Sequence, residues 1–154
     1  MNLALEILSL VIVGSVAGAE LGSWYCVQPV VSQLAYASYV AMEKGMLRTF
    51  GRAMPILMPL GAVLTGALTA VSGDERNVVL WLRFAATLCM AGAVVTTLFV
   101  IVPINSRTAH WQLTENRDEW ERMRLRWRRF QGVRSALFML AFVLLTIAAV
   151  VGHG

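Results

Sequence analysis

Charge is scarce in this chain. Of its 154 residues, 14% are Asp, Glu, Lys or Arg, against about 25% in an ordinary soluble domain. So few charges cannot clothe a water-facing surface, and a soluble globule is excluded. Histidine is scarcer still. His110 and His153 stand alone, with no His-x-x-x-His, Glu-x-x-His or cysteine-rich spacing to make a zinc or haem ligand set. Cys26 and Cys89 form no C-x-x-C pair, so thiol redox chemistry has no motif. Both read as small apolar packing residues. Phosphate loops, nucleophile elbows and dinucleotide fingerprints are missing. No metal and no cofactor is expected. Residues 1–15 lack Lys and Arg, so the basic region that opens a secretory leader is absent. Although Ala17-Gly18-Ala19 resembles a cleavage site, the apolar run continues to Val27, and a retained helix is expected.

Hydrocarbon is what the chain has in abundance. Apolar residues make up 58% and the mean hydropathy is +0.66. Residues 3–27, 53–72, 78–102 and 131–151 each approach or exceed the roughly 20 apolar residues that cross a bilayer. One such run is compatible with a buried core helix. Four of them in so short a chain leave no polar shell to bury them. The expected fold is all-α: a single four-helix transmembrane domain over residues 1–154. Pro29 is expected to follow the first helix, Gly73 to end the second in a Ser-Gly-Asp turn, and Pro103 to end the third.

Two further segments read as helix. Residues 30–50 are apolar but carry Glu43, Lys44 and Arg48, and either extend a helix or lie at the interface. Trp120, Met123, Trp127, Phe130 and Arg134 recur at three and four residues and form one helical stripe. Arg117, Glu121, Arg124 and Arg128 line another face, read as solvated. Only Gly132 interrupts residues 115–135. The last helix therefore starts near Glu115 and runs about 37 residues, or roughly 55 Å, with a cytoplasmic extension ahead of the membrane.

The net charge of +4 is distributed in a way that argues against nucleic acid. Lys and Arg concentrate in residues 28–52 and 103–130, beside the spans. The positive-inside rule puts both of those loops in the cytoplasm and both termini outside. A multi-pass protein of the cell membrane is expected, with its basic flank against anionic lipid. Gly14, Gly18 and Gly22 form a double G-x-x-x-G, which lets helices approach closely. Two partners fit it: another helix of the same bundle, or a second copy in a homo-oligomer.

Charges inside hydrocarbon cost about 2.5–3.5 kcal/mol each on insertion scales. Glu20, Arg134 and Asn105 are therefore the candidates for chemistry. The expected topology sets them at similar depth near one leaflet. Trp24, Tyr25, Trp127 and Gln131 fall within a turn or two and would line a pocket. The plainer reading is an ion pair that fixes helix order, beside an interfacial aromatic belt. Met42, Met46, Met54 and Met58 read as soft packing rather than metal ligands.

Three short motifs carry a family likeness. They are Gly18-Ala19-Glu20-Leu21-Gly22 followed by Pro29, Val102-Pro103-Ile104-Asn105-Ser106-Arg107, and Trp127-Arg128-Arg129-Phe130-Gln131-Gly132-Val133-Arg134. With the four spans, they make the chain resemble the anthrone oxygenase-like membrane proteins, grouped as domain of unknown function 1772. That resemblance implies oxidation of a polycyclic anthrone to an anthraquinone by molecular oxygen without an organic cofactor. Its partners would be membrane lipid, a hydrophobic aromatic molecule and oxygen. Position 131 often carries His or Asn in such proteins, and Gln stands here. On this reading Glu20 is the base, and Arg134 and Asn105 stabilise the enolate oxygen. The competing reading is a non-catalytic multi-pass protein with a structural, accessory or small-solute transport role.

Overall fold

The computed structural model describes residues 3–72 and 77–153. The turn expected at Gly73 lies outside them. Four helices run antiparallel in sequence order: α1 (Leu3–Val31), α2 (Tyr36–Ala70), α3 (Asn77–His110) and α4 (Arg117–His153). Each is long and apolar enough to cross a membrane, and no strand occurs among the described residues. The exposed surface is that of a protein solvated by lipid. Phe99, Val150, Trp81 and Val63 are each about two-thirds or more exposed, on three different helices. The chain has the build of a multi-pass membrane protein.

Pro29 and Pro103 were expected to stop α1 and α3, yet both helices continue through them. Proline cannot donate to the carbonyl four residues back and collides with it. The chain answers by widening one turn. Residues Ser23–Val27 and Thr97–Ile101 form π-turns, with the Gln28 N–H reaching Ser23 O and the Val102 N–H reaching Thr97 O. Each π-turn ends two residues before its proline, so the clash is removed without breaking the helix. The same device lengthens α3 to His110. Within α2, Pro55 and Pro59 also sit inside a continuous helix.

Helices of 34 to 37 residues are about 50–55 Å long at 1.5 Å per residue. That exceeds a hydrocarbon core of roughly 30 Å. The surplus lies at one end of α2, α3 and α4, the basic end, where the arginines are. It has its own core. Trp111, Trp120 and Tyr39 are buried there with Val31 and Val40. The two indoles lie 5.4 Å apart, and Tyr39 meets Trp120 edge-on at 5.5 Å. Asn116 Oδ1 accepts from the Asp118 N–H at 2.9 Å and so caps the start of α4. The hydrocarbon half of the bundle is filled by Val13, Val16, Met90, Phe138 and Leu145.

At the opposite end Glu6 on α1 meets Arg83 on α3 at 2.8 Å, both fully buried. Arg83 also donates to Ser72 Oγ at 2.7 Å.

The glycine stripe of α1 divides. A Cβ on Gly14 would lie 2.8 Å from the Phe142 ring, whereas Gly18 and Gly22 face open space. Gly14→Ala should therefore cost about 1–3 kcal/mol by overpacking against α4. Gly18→Ala should be neutral or gain up to about 1 kcal/mol from the lower helical entropy cost of alanine. Thermal melting of the detergent-solubilised variants measures both. A matching loss in Gly18→Ala would instead point to a second copy seated on that face.

Candidate functional site

Two further acid–arginine pairs bound a cavity of about 270 Å³ between the four helices. Small-molecule sites begin near 300 Å³, so its size suits a compact ligand.

The inner end is built by α1, α3 and α4. Glu20 Oε2 accepts from Arg134 Nη2 at 2.7 Å and from Gln131 Nε2 at 2.5 Å. Arg134 Nη2 also donates to Gln131 Oε1 at 2.5 Å, and its Nη1 reaches Thr97 Oγ1 at 3.3 Å. The chemistry fixes the orientation of the amide. Its NH₂ must face the carboxylate, and its oxygen must face the guanidinium. Both protein donors converge on Oε2. Glu20 Oε1 carries no protein hydrogen bond among the described residues, and Glu20 lines the cavity.

The outer end, towards the basic end, is built by α1, α2, α3 and α4. Glu43 Oε2 pairs with Arg124 Nη2 at 2.6 Å, and Glu43 Oε1 accepts from Gln28 Nε2 at 3.1 Å. The Arg124 guanidinium lies 4.4 Å from the Trp127 ring centroid, with Trp120 at 5.7 Å on another side. Trp127 Nε1 donates to Asn105 Oδ1 at 2.9 Å. An indole nitrogen only donates, so the amide oxygen is the atom that faces it. The Asn105 NH₂ is left without a protein acceptor among the described residues.

Between these ends the walls are apolar and soft: Met46, Phe50, Met54, Met58 and Ile101. The side is open. Gly51, Pro55 and Pro59 of α2 and Leu98 and Val102 of α3 all line the cavity and are all exposed. The mouth therefore faces lipid, between a proline-bearing helix and a π-turn.

The structure brings Glu20, Asn105, Arg134, Trp127 and Gln131 to one cavity, with two corrections of placement. Asn105 does not sit beside Glu20. It lies eight residues along α3 from Thr97, about 12 Å at helical rise, and belongs to the outer end. Trp24 and Tyr25, expected as pocket walls, lie outside the cavity. Ser23 takes the inward position of the π-turn. Tyr25 is 71% exposed, and Trp24 lies over Gly132 and donates to the Arg128 carbonyl at 3.1 Å. Sequence reasoning missed Glu43, Gln28, Arg124 and Thr97. Arg124 was read as part of a solvated face and is 1% exposed. The available signal was Glu43, a lone acid in an otherwise apolar stretch, masked by Lys44 beside it. Among the described residues no three His, Cys, Asp or Glu side chains gather as a metal site.

Fold and cavity together define a multi-pass helical membrane protein with an internal chamber, charged at both ends and open sideways. Residues 46–144 match the family model described as anthrone oxygenase, and the chain belongs to that family. Neither a curated protein nor a solved structure matches it. The matched stretch contains Asn105, Arg124, Trp127, Gln131 and Arg134. The acids that pair with the arginines, Glu20 and Glu43, precede it.

The inner cluster orders two substitutions. Gln131→Leu removes one donor from a carboxylate that keeps its cation, costing about 1–3 kcal/mol. Arg134→Leu strands a buried carboxylate and should cost about 3–5 kcal/mol. Melting temperatures in detergent should follow that order, and the reverse order would show that the amide rather than the cation holds Glu20.

Proposed function

We propose that this protein is a membrane-embedded oxygenase for a flat aromatic carbon acid of the anthrone type, with the reaction run between Glu20 and Asn105. One observation carries the reading. A carboxylate with an unengaged oxygen and an amide with an unengaged NH₂ stand at opposite ends of one apolar chamber.

The geometry of the substrate explains why those two matter. In an anthrone the acidic CH₂ and the carbonyl lie at opposite edges of the central ring. Base and oxyanion donor must therefore stand on opposite sides of the ligand. Glu20 and Arg134 are 2.7 Å apart and cannot fill both roles. Glu20 and Asn105 can. The shared oxyanion role expected of Arg134 thus passes to Asn105 alone. Arg134 and Gln131 become positioning residues that hold Glu20 Oε2 and leave Oε1 to the ligand.

Glu20 removes a proton from the CH₂, and the Asn105 NH₂ donates to the enolate oxygen as charge builds there. The carbanion passes one electron to oxygen, and the resulting radical and superoxide combine in a C–O bond. The hydroperoxide then loses its remaining C–H proton as the O–O bond breaks. One oxygen atom stays as the new quinone carbonyl and the other leaves as water. Carbon gives up four electrons and dioxygen takes four. Both reactants dissolve in hydrocarbon, and the opening between α2 and α3 faces that phase. The concentration of Lys and Arg beside the cavity's outer end favours a cytoplasmic location for it under the positive-inside rule.

Oxygen uptake with anthrone as substrate tests this in detergent-solubilised protein. Glu20→Gln should lower kcat by about 10²–10⁴-fold, and Asn105→Leu by about 10²–10³-fold. Arg134→Lys should recover part of what Arg134→Leu loses. No acceleration by the intact protein over autoxidation in buffer would remove the reading, and full turnover in Glu20→Gln would remove the assigned base.

A further inference from the structure

Glu43 has no part in the chemistry above, yet it is one of two carboxylates on the cavity wall. It is 2% exposed, so bulk water is not what it faces. It is held by Arg124 at 2.6 Å and by Gln28 at 3.1 Å, which fixes its orientation. Arg124 stacks on Trp127, and Trp127 holds Asn105. Glu43 and Asn105 are thereby tied into one rigid assembly around a single indole. Glu43 Oε1 accepts one protein hydrogen bond, from Gln28, while Oε2 is held by the Arg124 ion pair, so both oxygens keep lone pairs for a further donor. An amide donor and a carboxylate acceptor stand together at the outer end of an otherwise apolar chamber.

From this juxtaposition we infer that Glu43 is a specificity residue that accepts a hydrogen bond from a phenolic hydroxyl on the outer ring of the aromatic ligand. The inference rests on the aromatic ligand proposed above and adds its substitution pattern. A bare aromatic ketone satisfies Asn105 alone. It covers Glu43 with carbon, and the buried charged acceptor then gains no donor from the ligand. A hydroxyl-bearing ligand satisfies both. A site that hydrogen-bonds a hydroxyl discriminates strongly against the analogue that lacks it. Glu43 lies ahead of the residues that match the family model.

Binding separates the two readings without turnover. Quenching of tryptophan fluorescence in detergent-solubilised protein gives the affinity for two unreactive probes. One is unsubstituted anthraquinone. The other is a dihydroxyanthraquinone with one hydroxyl on each outer ring, away from the carbonyls. The intact protein should bind the dihydroxy probe about tenfold or more tightly than the plain one. Glu43→Gln should narrow that ratio. The double variant Glu43→Leu with Arg124→Met removes acid and cation together, so no buried charge is stranded. In it the ratio should fall to about unity while plain anthraquinone still binds. A preference that persists in the monodisperse double variant, or its absence from the intact protein, overturns the role of Glu43 and leaves the aromatic chamber standing. Failure of both probes to bind the intact protein overturns the chamber reading, and this inference with it.

Discussion

Three buried glutamates, each held by an arginine from another helix, are the constraint on which this bundle depends. Glu6 joins α1 to α3, Glu20 joins α1 to α4, and Glu43 joins α2 to α4. In hydrocarbon an unpaired charge has no solvent to turn to. Lipid tails are as apolar as leucine, so greasy helix faces alone set no unique register. Each pair does set one, because sliding a helix by one turn would break it and strand two ions. The arrangement uses the pairs at different levels: one at the end remote from the arginine-rich loops, one deep beneath them, one among them. Rotation and translation of all four helices are fixed together. The central cavity can persist because its two ends are pinned by pairs that cannot close on one another.

Much of this was legible in the sequence, and the failures have physical causes. Run length and scarcity of charge identify all four spans, because crossing hydrocarbon demands both at once. The long last helix was readable from the stripe Trp120, Met123, Trp127, Phe130 and Arg134, which is now seen to face the interior along the whole basic end. Pro29 and Pro103 misled, because proline normally ends a helix and the π-turn that absorbs it has no composition signature of its own. Those turns sit where α1 and α3 pass the chamber, and one of them turns Trp24 and Tyr25 outwards. Arg124 was hidden in a run of arginines at alternate positions. Period alone cannot tell which of them points inward, and its partner Glu43 is more than eighty residues away in sequence. Glu6 and Arg83 were visible as interruptions of apolar runs, but as single charges they gave no sign of each other.

The glutamine at position 131 takes on a definite meaning in this setting. The family resemblance implies that His or Asn is frequent there. A glutamine amide offers a donor to Glu20 and an acceptor to Arg134 at the same time, and it does so without changing charge. An imidazole at the same place would exchange protons with the carboxylate it touches. Here the neutral amide keeps the net charge of the cluster at zero, leaving Glu20 Oε1 as its one uncommitted acceptor. In the mechanism we propose, the chemistry therefore falls on the carboxylate itself and not on a relay behind it.

The opening of the chamber follows from the same local events that lengthen the helices. A π-turn in α3 and two prolines in α2 face each other across the cavity mouth. Pro55 and Pro59 donate no N–H to the carbonyls of Gly51 and Pro55. The rim is therefore a helix face with weakened internal bonding and small side chains. Opposite it, the widened turn presents Leu98 and Val102 to lipid. Neither element can pack closely on the other there, whereas α3 and α4 do pack closely deeper in the bundle through Met90, Ala93 and Phe138. The imperfection is thus confined to one side and one depth, level with Glu20 and Arg134. An apolar molecule diffusing in that leaflet meets the chamber without crossing water, and the polar atoms it meets at the two ends are held in place by the two ion pairs.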